Sequence, residues 1–414
     1  MAGPRMTGTE PGSPVPADLA ILVVTVVHHP LDSRIWFRQI NALLERGCDV
    51  TFAAPFSGFD LPIPANQPRA RGRGALHCLN APRSFGRHRA SAALRVRRLI
   101  RREGSKNDLV LLHDPELLLA AAGLGLNNLV WDVHEDVAAA FGAKDWLPRA
   151  LRPIAAWLWR RFEGLAERRY RLLLAEWAYQ SRFRFSHPVV PNTVIVPALE
   201  AVPGRDRVIY IGSVTRLRGS TTMIEVGREL RRRTDGAIRV EVIGDAPDAV
   251  AAHEMQLAHA RGDVVWHGFQ PSNVALDTAR GALAGLCLLE DLPNFRASMP
   301  TKVIEYCALS MPAIVTPLPL AVELVRRIDS GIVVPWHDPA AVADAVLRLR
   351  DDPELVQRMG RNGYREAREH HDWRVWSRSF VEILISFAAE TGATASPTRR
   401  GGVFQSVLRR AGAK

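Results

Sequence analysis

The chain has 414 residues, of which 47% are hydrophobic and 23% are charged, and its formal net charge is +11. This length exceeds what one hydrophobic core usually supports, so we expect two domains. The four cysteines, Cys48, Cys78, Cys287 and Cys307, are scattered along the chain, and this spacing argues against a structural zinc site and favours a reducing cytoplasm.

The N-terminal part predicts a βαβ unit. Residues 1–18 are rich in Pro and Gly and lack an apolar run, so we expect disorder there rather than a signal peptide. Leu19–Val27 is an apolar run typical of a buried parallel strand, followed by a predicted helix over Arg34–Arg46 and a strand over Val50–Ala54. The intervening loop, HHPLDS, would lie at the ligand edge of the sheet but lacks the GxGxxG dinucleotide fingerprint.

Two later strands each deliver a histidine and a carboxylate. The predicted strand Asp108–Leu112 is followed by His113, and Leu129–Val133 is followed by His134 and Glu135. The carboxyl ends of parallel strands meet at one edge of a sheet, so these loops should lie near one crevice. A single histidine there is more often structural, whereas two such loops together favour a site.

Positive charge is concentrated in the first half of the chain. Residues 1–190 carry 26 Lys/Arg against 17 Asp/Glu, whereas residues 191–414 carry 28 against 26. The surplus gathers in Arg69–Lys106 and in Arg149–Arg171. The first overlaps a basic segment expected to be loop over 57–90, and the second lies in a predicted helix over Arg149–Leu172 that mixes tryptophan with arginine. This half suits an anionic partner such as a membrane surface, although an ordinary amphipathic domain helix is the more frequent case. We expect no nucleic-acid binding, because no recognition helix or zinc finger accompanies the basic runs.

The second half predicts another doubly wound α/β domain. A linker around 198–207 is followed by strands that alternate with helices. The predicted domains are 19–198 and 207–370, followed by a terminal helix over 371–390 and a loose basic tail over 391–414.

The stretch from Gly285 to Pro317 predicts a strand, a polar loop, a helix that opens at Pro300 with Ser298 as its cap, and a second strand. Lys302 falls in the first turn, where the helix dipole disfavours a cation unless an anion such as phosphate is bound. Glu305 follows three residues later, so an ordinary surface ion pair worth about 0.2–0.5 kcal/mol is the alternative. The chain has only four lysines, and a lysine retained here favours the phosphate site.

These motifs together resemble a known family. They are HHPLDSRI, DLVLLHDPELL, DVHED, VIYIGSVTRLRG, VEVIGD, VVWHGF, MPTKVIEYCALSMPAIVTPLP and the closing tryptophan helix. Over residues 19–390 they resemble the GT-B glycosyltransferases, in particular the retaining family-4 and group-1 type. The resemblance implies two Rossmann-like domains facing a cleft. The C-terminal domain would bind a nucleotide-diphosphate sugar and the N-terminal domain an acceptor, with no metal and no cofactor beyond the donor.

The resemblance also implies residue roles. Arg218 and Lys302 would hold the diphosphate, His113 would lie beside the transferred sugar, and Glu305 would bond the ribose hydroxyls. The predicted catalytic residues are Arg218, Lys302 and His113. The further predicted substrate contacts are Arg216, Ser213, Asp32, Arg34 and Glu135.

Three positions depart from the family pattern. Ala297 stands where the family has the first of two glutamates, Ser213 replaces an arginine, and Asp32-Ser33-Arg34 replaces a Gly-Gly pair.

We predict a cytoplasmic enzyme, peripheral at the inner face of the membrane, that transfers a sugar to a lipid-linked or cell-envelope acceptor or a small molecule. The alternatives are a sugar-nucleotide 2-epimerase and an inactive GT-B module that binds glycan or a partner enzyme.

Overall fold

The structure, a computed structural model, describes residues 19–85, 89–143 and 148–394. The expected disordered segment 1–18 and residues 395–414 of the expected tail lie outside these ranges. The chain divides into two compact units. One comprises the described residues of Met1–His29, Ile40–Trp131 and Phe380–Lys414, and the other comprises Pro30–Gln39 and Asp132–Ser379.

The first six strands form one sheet. They are β1 (Ala20–Val24), β2 (Asp49–Ala54), β3 (Leu76–Asn80), β4 (Leu109–Leu112), β5 (Leu129–Val133) and β6 (Arg171–Leu174). Their order across the sheet is β3-β2-β1-β4-β5-β6, and β1 pairs in parallel with both β2 and β4. β4 and β5 are fully buried apolar strands, as expected where helices cover both faces of a sheet.

Five helices in the described ranges accompany these strands. They are α1 (33–45), which is π-helical over Ser33–Ile40 and α-helical over Asn41–Glu45, α2 (Arg89–Gly104), α3 (Pro115–Ala121), α4 (Val137–Ala140) and α5 (Arg152–Arg169). Short 3₁₀ turns lie at Ser57–Phe59, Phe141–Ala143, Arg149–Leu151 and Trp177–Arg182.

The second sheet repeats the strand order of the first. Its strands are β7 (Arg207–Ile211), β8 (Arg239–Ile243), β9 (Val265–Trp266), β10 (Ala284–Cys287), β11 (Ala313–Val315) and β12 (Gly331–Val333). They lie in the order β12-β11-β10-β7-β8-β9, and all five pairings are parallel. In both sheets the first strand therefore lies between the second and the fourth, the arrangement of a doubly wound fold.

Nine helices belong to this part of the chain. They are α6 (Ser220–Thr234), α7 (Ala249–Ala260), α8 (Ser272–Ala279), α9 (Pro293–Arg296), α10 (Thr301–Ala308), α11 (Pro319–Arg327), α12 (Pro339–Asp351), α13 (Pro353–His370) and α14 (Trp373–Thr394). A 3₁₀ turn at Arg216–Arg218 precedes α6. None of the helices in the described ranges has both the length and the apolar character needed to span a membrane.

The secondary structure differs from the sequence prediction at three places. The segment 57–90, expected to be loop, contains β3 at the edge of the first sheet. The apolar sequence of Thr193–Val196 predicts a last strand of the first half, and this prediction is wrong, because Val194 forms only an isolated bridge with Asp372. The terminal helix α14 continues to Thr394, beyond the predicted start of the tail at residue 391.

Tyr306 is the packing centre beneath α10. Its side chain is fully buried, and its hydroxyl donates to the Leu286 carbonyl at 2.9 Å. The ring lies over Gly285 of β10, where an added Cβ would be 2.3 Å from ring carbons. A glycine at position 285 thus lets α10 rest on the sheet and fixes the position of the helix that carries Lys302 and Glu305.

Replacing this glycine should loosen the contact. We expect Gly285→Ala to destabilise the protein by about 1–3 kcal/mol, because a methyl group would overlap the Tyr306 ring in a packed core. Gly164→Ala is the matched control, since Gly164 lies within α5 and an added Cβ there would have no atom within 4 Å apart from the neighbouring backbone of its own helix. It should be neutral or stabilise the helix by up to about 1 kcal/mol. Chemical denaturation measures both, and equal stability of the two variants would contradict this packing role.

Candidate functional site

The second sheet has a topological switch point between β7 and β10. These strands are neighbours, yet the connection from β7 leads to β8 on one side while β10 continues to β11 on the other. Ligands of open α/β sheets bind outside the carboxyl ends of the strands at such a point. The loop after β7 and the segment from β10 to α10 therefore form the candidate site.

The loop after β7 is held tightly by backbone contacts. Gly212 has a φ of +131° and donates its N–H to the Ile243 carbonyl at 2.9 Å. Val214 donates to the Asp245 carbonyl at 2.7 Å. Gly244 lies so close that a Cβ there would be 1.9 Å from the Gly212 carbonyl oxygen. Glycine is required where two chain segments approach this closely, and the result is a fixed loop at the switch point.

Lys302 points its ammonium group at this loop. The residue is only 8% exposed, and its Nζ lies 5.1 Å from the centre of the Tyr210 ring. A Cβ placed on Gly212 would lie 3.5 Å from the same Nζ. Within the ranges that the structure describes, the side chain of Lys302 forms no hydrogen bond and no ion pair. The aromatic ring offers only modest compensation for a buried charge, so the group suits an anionic ligand.

Arg218 supplies a second cation near the same place. Its side chain is half-buried and has no ion-pair or hydrogen-bond partner among the described residues. The adjacent Gly219, with a φ of +86°, packs against the end of β10, where a Cβ would lie 2.4 Å from the Leu288 carbonyl oxygen. Burial raises the pKa of the Cys287 thiol to about 11, while the charges of Lys302 and Arg218 both lower it. Both cations are therefore close enough to act on one buried thiol at the end of β10.

Glu305 is not the partner of a surface ion pair. It is half-buried, and no ion pair within 4.0 Å joins it to Lys302 among the described residues. Burial raises the pKa of its carboxyl group, and the positive charges of Arg38 and Lys302 counteract that rise. The alternative of an ordinary exposed i,i+3 pair is therefore wrong.

The start of α10 also differs from the expectation. Pro300 precedes the first helical residue rather than occupying it, and no side chain caps the helix. Ser298 donates its hydroxyl to the Asn294 carbonyl at 3.0 Å instead. The predicted cap at Ser298 is wrong, because the hydroxyl of this serine binds a carbonyl group of the short helix α9.

The other predicted contacts in the loop after β7 occupy different positions. Arg216 is exposed and forms an ion pair with Glu254, so its charge is already balanced at the surface. Ser213 accepts a hydrogen bond from the Tyr210 hydroxyl through its backbone carbonyl at 2.7 Å, and its side chain is half-buried. Of the two arginines in this loop, only Arg218 is left available.

Asp32 and Arg34 shape the loop after β1. The Asp32 carboxylate accepts hydrogen bonds from the N–H groups of Arg34 and Ile35 at 2.8 and 3.0 Å, which caps α1. Arg34 is 5% exposed and binds both oxygens of Asp132 at 2.8 Å. Asn192 accepts a further bond from it at 3.1 Å. Through these contacts both residues stabilise the loop after β1. Contact of either residue with a substrate stays a prediction.

The remaining predicted residues are buried His113 and exposed Glu135. His113 follows β4, is 1% exposed, and donates its backbone N–H to the Val24 carbonyl at 3.1 Å. The Glu135 carbonyl accepts from Arg182 at 3.1 Å, while its side chain faces solvent. His113 belongs to the first compact unit, whereas Lys302 and Arg218 belong to the second.

Asp132 and His134 have the residue types of a metal site. His134 Nδ1 lies 3.1 Å from the Asp132 carbonyl oxygen and 4.0 Å from Asp132 Oδ2. That carboxylate, however, binds Arg34 through both oxygens and accepts from Gln39 at 2.9 Å. A cation here would compete with the guanidinium, so these residues fit an internal ion pair better than a metal centre.

The sequence reasoning missed Arg38 and Glu176. Arg38 lies one helical turn beyond Arg34, and two like charges at this spacing on a buried face were a signal for nearby anions. Glu176 follows β6, where burial raises the pKa of its carboxyl group to about 7 while Arg34 and a hydrogen bond from the Met299 N–H lower it. Glu176 therefore ties the loop before α10 to the edge of the first sheet.

Comparison with known proteins gives independent information on the family and the fold of the chain. Residues 194–366 match the model of the family described as glycosyl transferases group 1. Alpha-D-kanosaminyltransferase of Streptomyces kanamyceticus is 29% identical over 164 residues, which cover 38% of this chain and 40% of that protein. The chain thus matches less than half the length of this relative.

Solved structures show the same fold. Sucrose-phosphate synthase from Thermosynechococcus elongatus aligns over 90% of this chain and 100% of its own, with a TM-score of 0.68 and 16% identity. Anabaena HepE, solved in complex with UDP-glucose, aligns over 89% and 100%, with a TM-score of 0.61 and 13% identity. At these identities the likeness establishes the two-sheet GT-B fold.

Glu176 generates a pH-dependent prediction. Its pKa is about 7 in the folded protein and near 4.5 ordinarily, so between these values the unfolded chain loses a proton that the folded protein keeps. Stability therefore falls as the pH rises through this window. Glu176→Gln keeps an acceptor for Met299 and should be more stable than the wild type at pH 8, by on the order of 1–3 kcal/mol.

Most of this gain should disappear at pH 5, where the native carboxyl group is protonated. Urea denaturation of both proteins at the two pH values measures the difference. The same gain at pH 5 and at pH 8 would contradict the assignment of a raised pKa.

Proposed function

We propose that this protein, whose residues 194–366 match the model of the group 1 glycosyl transferases, transfers a sugar from a nucleotide-diphosphate sugar to an acceptor hydroxyl. The observation that carries the proposal is the pair of cations, Lys302 and Arg218, without anionic partners in the described ranges at the switch point of the second sheet. A nucleoside diphosphate carries the negative charge that would balance these two cations.

The geometry supports a direct role of these cations in the chemistry. The bond between the anomeric carbon and the phosphate oxygen breaks toward the diphosphate, which keeps the electron pair. The acceptor oxygen forms the new bond and gives up its proton. Negative charge grows on the leaving group, and preorganised cations in a partly buried site stabilise it. With Lys302 and Arg218 in this role the step needs no metal ion.

The remaining roles follow from the family resemblance. Glu305, on the same helix as Lys302, bonds the ribose hydroxyls, and His113 lies beside the transferred sugar. Transfer with retention of the anomeric configuration is also part of this proposal. Ala297 leaves the position of the first family glutamate without a carboxylate, so other groups must contact the sugar.

We propose an acceptor at an anionic membrane surface, and α5 supports this. One face of α5 and the turn before it exposes Leu151, Ile154, Trp157, Leu158 and Leu165, each at least 48% exposed. Leu151, Ile154, Leu158 and Leu165 are three, four and seven residues apart, and Trp157 is next to Leu158, so the five side chains form a single apolar stripe. Arg161 lies 5.5 Å from the Trp157 ring centre, and Arg168 and Arg169 are also exposed. Apolar residues flanked by arginine suit the headgroup region of an anionic bilayer.

Loss of the cations should abolish donor binding. We expect at least one of UDP, GDP, ADP and dTDP to raise the unfolding temperature of the wild-type protein by mass action. Lys302→Met and Arg218→Met should each weaken binding of that nucleotide about 10-fold or more. Each should also slow sugar transfer about 10²–10³-fold. Arg326→Met is the control, because Arg326 is exposed and forms no ion pair within the described ranges.

Product analysis separates the enzyme classes. A transferase releases the nucleoside diphosphate from its sugar donor in an acceptor-dependent manner. Conversion of the nucleotide sugar to an epimer without acceptor would contradict the proposed transfer, as would nucleotide binding that is unaffected by either cation variant.

Removal of the exposed apolar face should reduce membrane binding. The wild-type protein should float with vesicles that contain anionic lipid at low salt and should stay in solution with neutral vesicles. Trp157→Ser combined with Leu158→Ser should lower the bound fraction several-fold, because two exposed apolar groups no longer enter the interface. Val274→Ser, at an exposed position on α8, is the control. Wild-type protein that does not float would indicate a soluble acceptor.

A further inference from the structure

A cavity of about 340 Å³ lies away from the candidate site. Its lining comes from the segment that precedes β7, from α13, and from the turn between α10 and β11. Because these segments meet where β7 and β11 begin, the cavity lies at the amino edge of the second sheet, whereas the candidate site lies at the carboxyl edge. The polar lining residues are Glu200, Ser310, Gln357 and Arg361. The volume and the convergent polar groups are those of a small-ligand pocket.

Ser310 combines two unfavourable features. It follows α10 with a φ of +57°, a left-handed conformation that glycine usually adopts at the end of a helix. Its side chain is fully buried, and its hydroxyl has no hydrogen-bond partner in the part of the chain that the structure describes. A buried hydroxyl without a partner is destabilising, and residues in strained conformations cluster at ligand sites. The presence of serine here therefore indicates a ligand in the cavity.

The cavity also has two charged residues of opposite sign. Glu200 and Arg361 are exposed, and neither forms an ion pair or a hydrogen bond with any described residue. Arg358, three residues before Arg361 on α13, is by contrast paired with Asp329 at 3.0 Å. Among the described residues that line the cavity, Glu200 and Arg361 alone are charged. The lining is therefore neutral as a whole and suits a ligand that carries one negative and one positive group.

The uncharged lining residues favour a sugar over an amino acid. An α-amino acid would satisfy both charges but would leave the Gln357 amide and the Ser310 hydroxyl without partners. A sugar ring carries hydroxyl groups for both. The ring also has apolar C–H groups, which suit the apolar side of the cavity at Val202 and Pro203. Val202 is 78% exposed, so its contact surface is available.

We propose that this cavity binds an amino-sugar phosphate. Arg361 holds the phosphate group, because a guanidinium offers several N–H donors in one plane to phosphate oxygens. Glu200 accepts from the ammonium group, and the ring hydroxyls bond Ser310 and Gln357. The inference does not rest on the proposed function, since no residue of the cavity belongs to the candidate site. It gives the second half of the chain a further ligand site, at the opposite edge of its sheet.

The test uses four probes on the full chain, each measured by calorimetric titration. They are glucosamine 6-phosphate, glucose 6-phosphate, glucosamine and inorganic phosphate. The wild-type protein should bind glucosamine 6-phosphate about 10-fold or more tightly than each of the others, because only this probe engages both charged residues. Glu200→Gln should abolish the difference between the two sugar phosphates. Arg361→Met should weaken both sugar phosphates about 10-fold.

Ser310→Gly separates a ligand contact from a structural effect. Glycine relieves the left-handed strain and removes the unpaired hydroxyl, so the variant should unfold at a higher temperature than the wild type. It should nevertheless bind glucosamine 6-phosphate about 2- to 10-fold more weakly, the effect of losing one uncharged hydrogen bond. Weaker binding by a more stable protein cannot result from unfolding.

Two control variants locate the probe. Arg368→Met changes an exposed arginine of α13 that forms no ion pair with a described residue and does not line the cavity. Lys302→Met changes the candidate site. Both should bind glucosamine 6-phosphate as the wild type does. Affinity that falls in Lys302→Met but not in Arg361→Met would overturn the inference, as would equal wild-type affinity for the two sugar phosphates or no binding at millimolar concentration.

Discussion

The ammonium group of Lys302 is buried beside the loop after β7 without a carboxylate to balance its charge. Tyr210 faces it at 5.1 Å, and Gly212 leaves room for it. A folded protein tolerates such a charge only if the surrounding packing is strong or a ligand anion completes the site. The packing of Tyr306 on Gly285, which positions α10, meets the first condition. A phosphate group would meet the second.

The repeated strand order explains where this charge is placed. In the second sheet the connections leave β7 and β10 in opposite directions, which opens space above the ends of these two strands. Arg218 reaches that space from the loop after β7, and Lys302 reaches it from the helix after β10. The candidate anion site is therefore assembled from two segments that lie far apart in the chain, each fixed by contacts of its own.

Much of the fold could be predicted from the sequence, because buried parallel strands are continuous apolar runs. β5 has the predicted bounds, and the alternation of strands and helices in the second half is confirmed. The edge strand β3 could not be recognised, since its sequence LHCLN lacks such a run. The predicted cap at Ser298 is wrong because its hydroxyl donates to the Asn294 carbonyl of α9 and does not accept from an N–H of α10, and local propensity did not reveal α9.

The residues of the candidate site could be predicted only in part, because their contacts depend on residues that are far away in the sequence. Spacing places Lys302 and Glu305 on one face of a helix, but only the folded chain shows that no ion pair joins them. Arg34 and Arg38 look alike in sequence, and a carboxylate 98 residues away distinguishes them.

The most direct test of the central claim is a crystal structure with the nucleoside diphosphate bound. The account predicts phosphate oxygens within hydrogen-bond distance of Lys302 Nζ and the Arg218 guanidinium, next to Gly212. A diphosphate bound elsewhere, with both cations left without an anion, would contradict it.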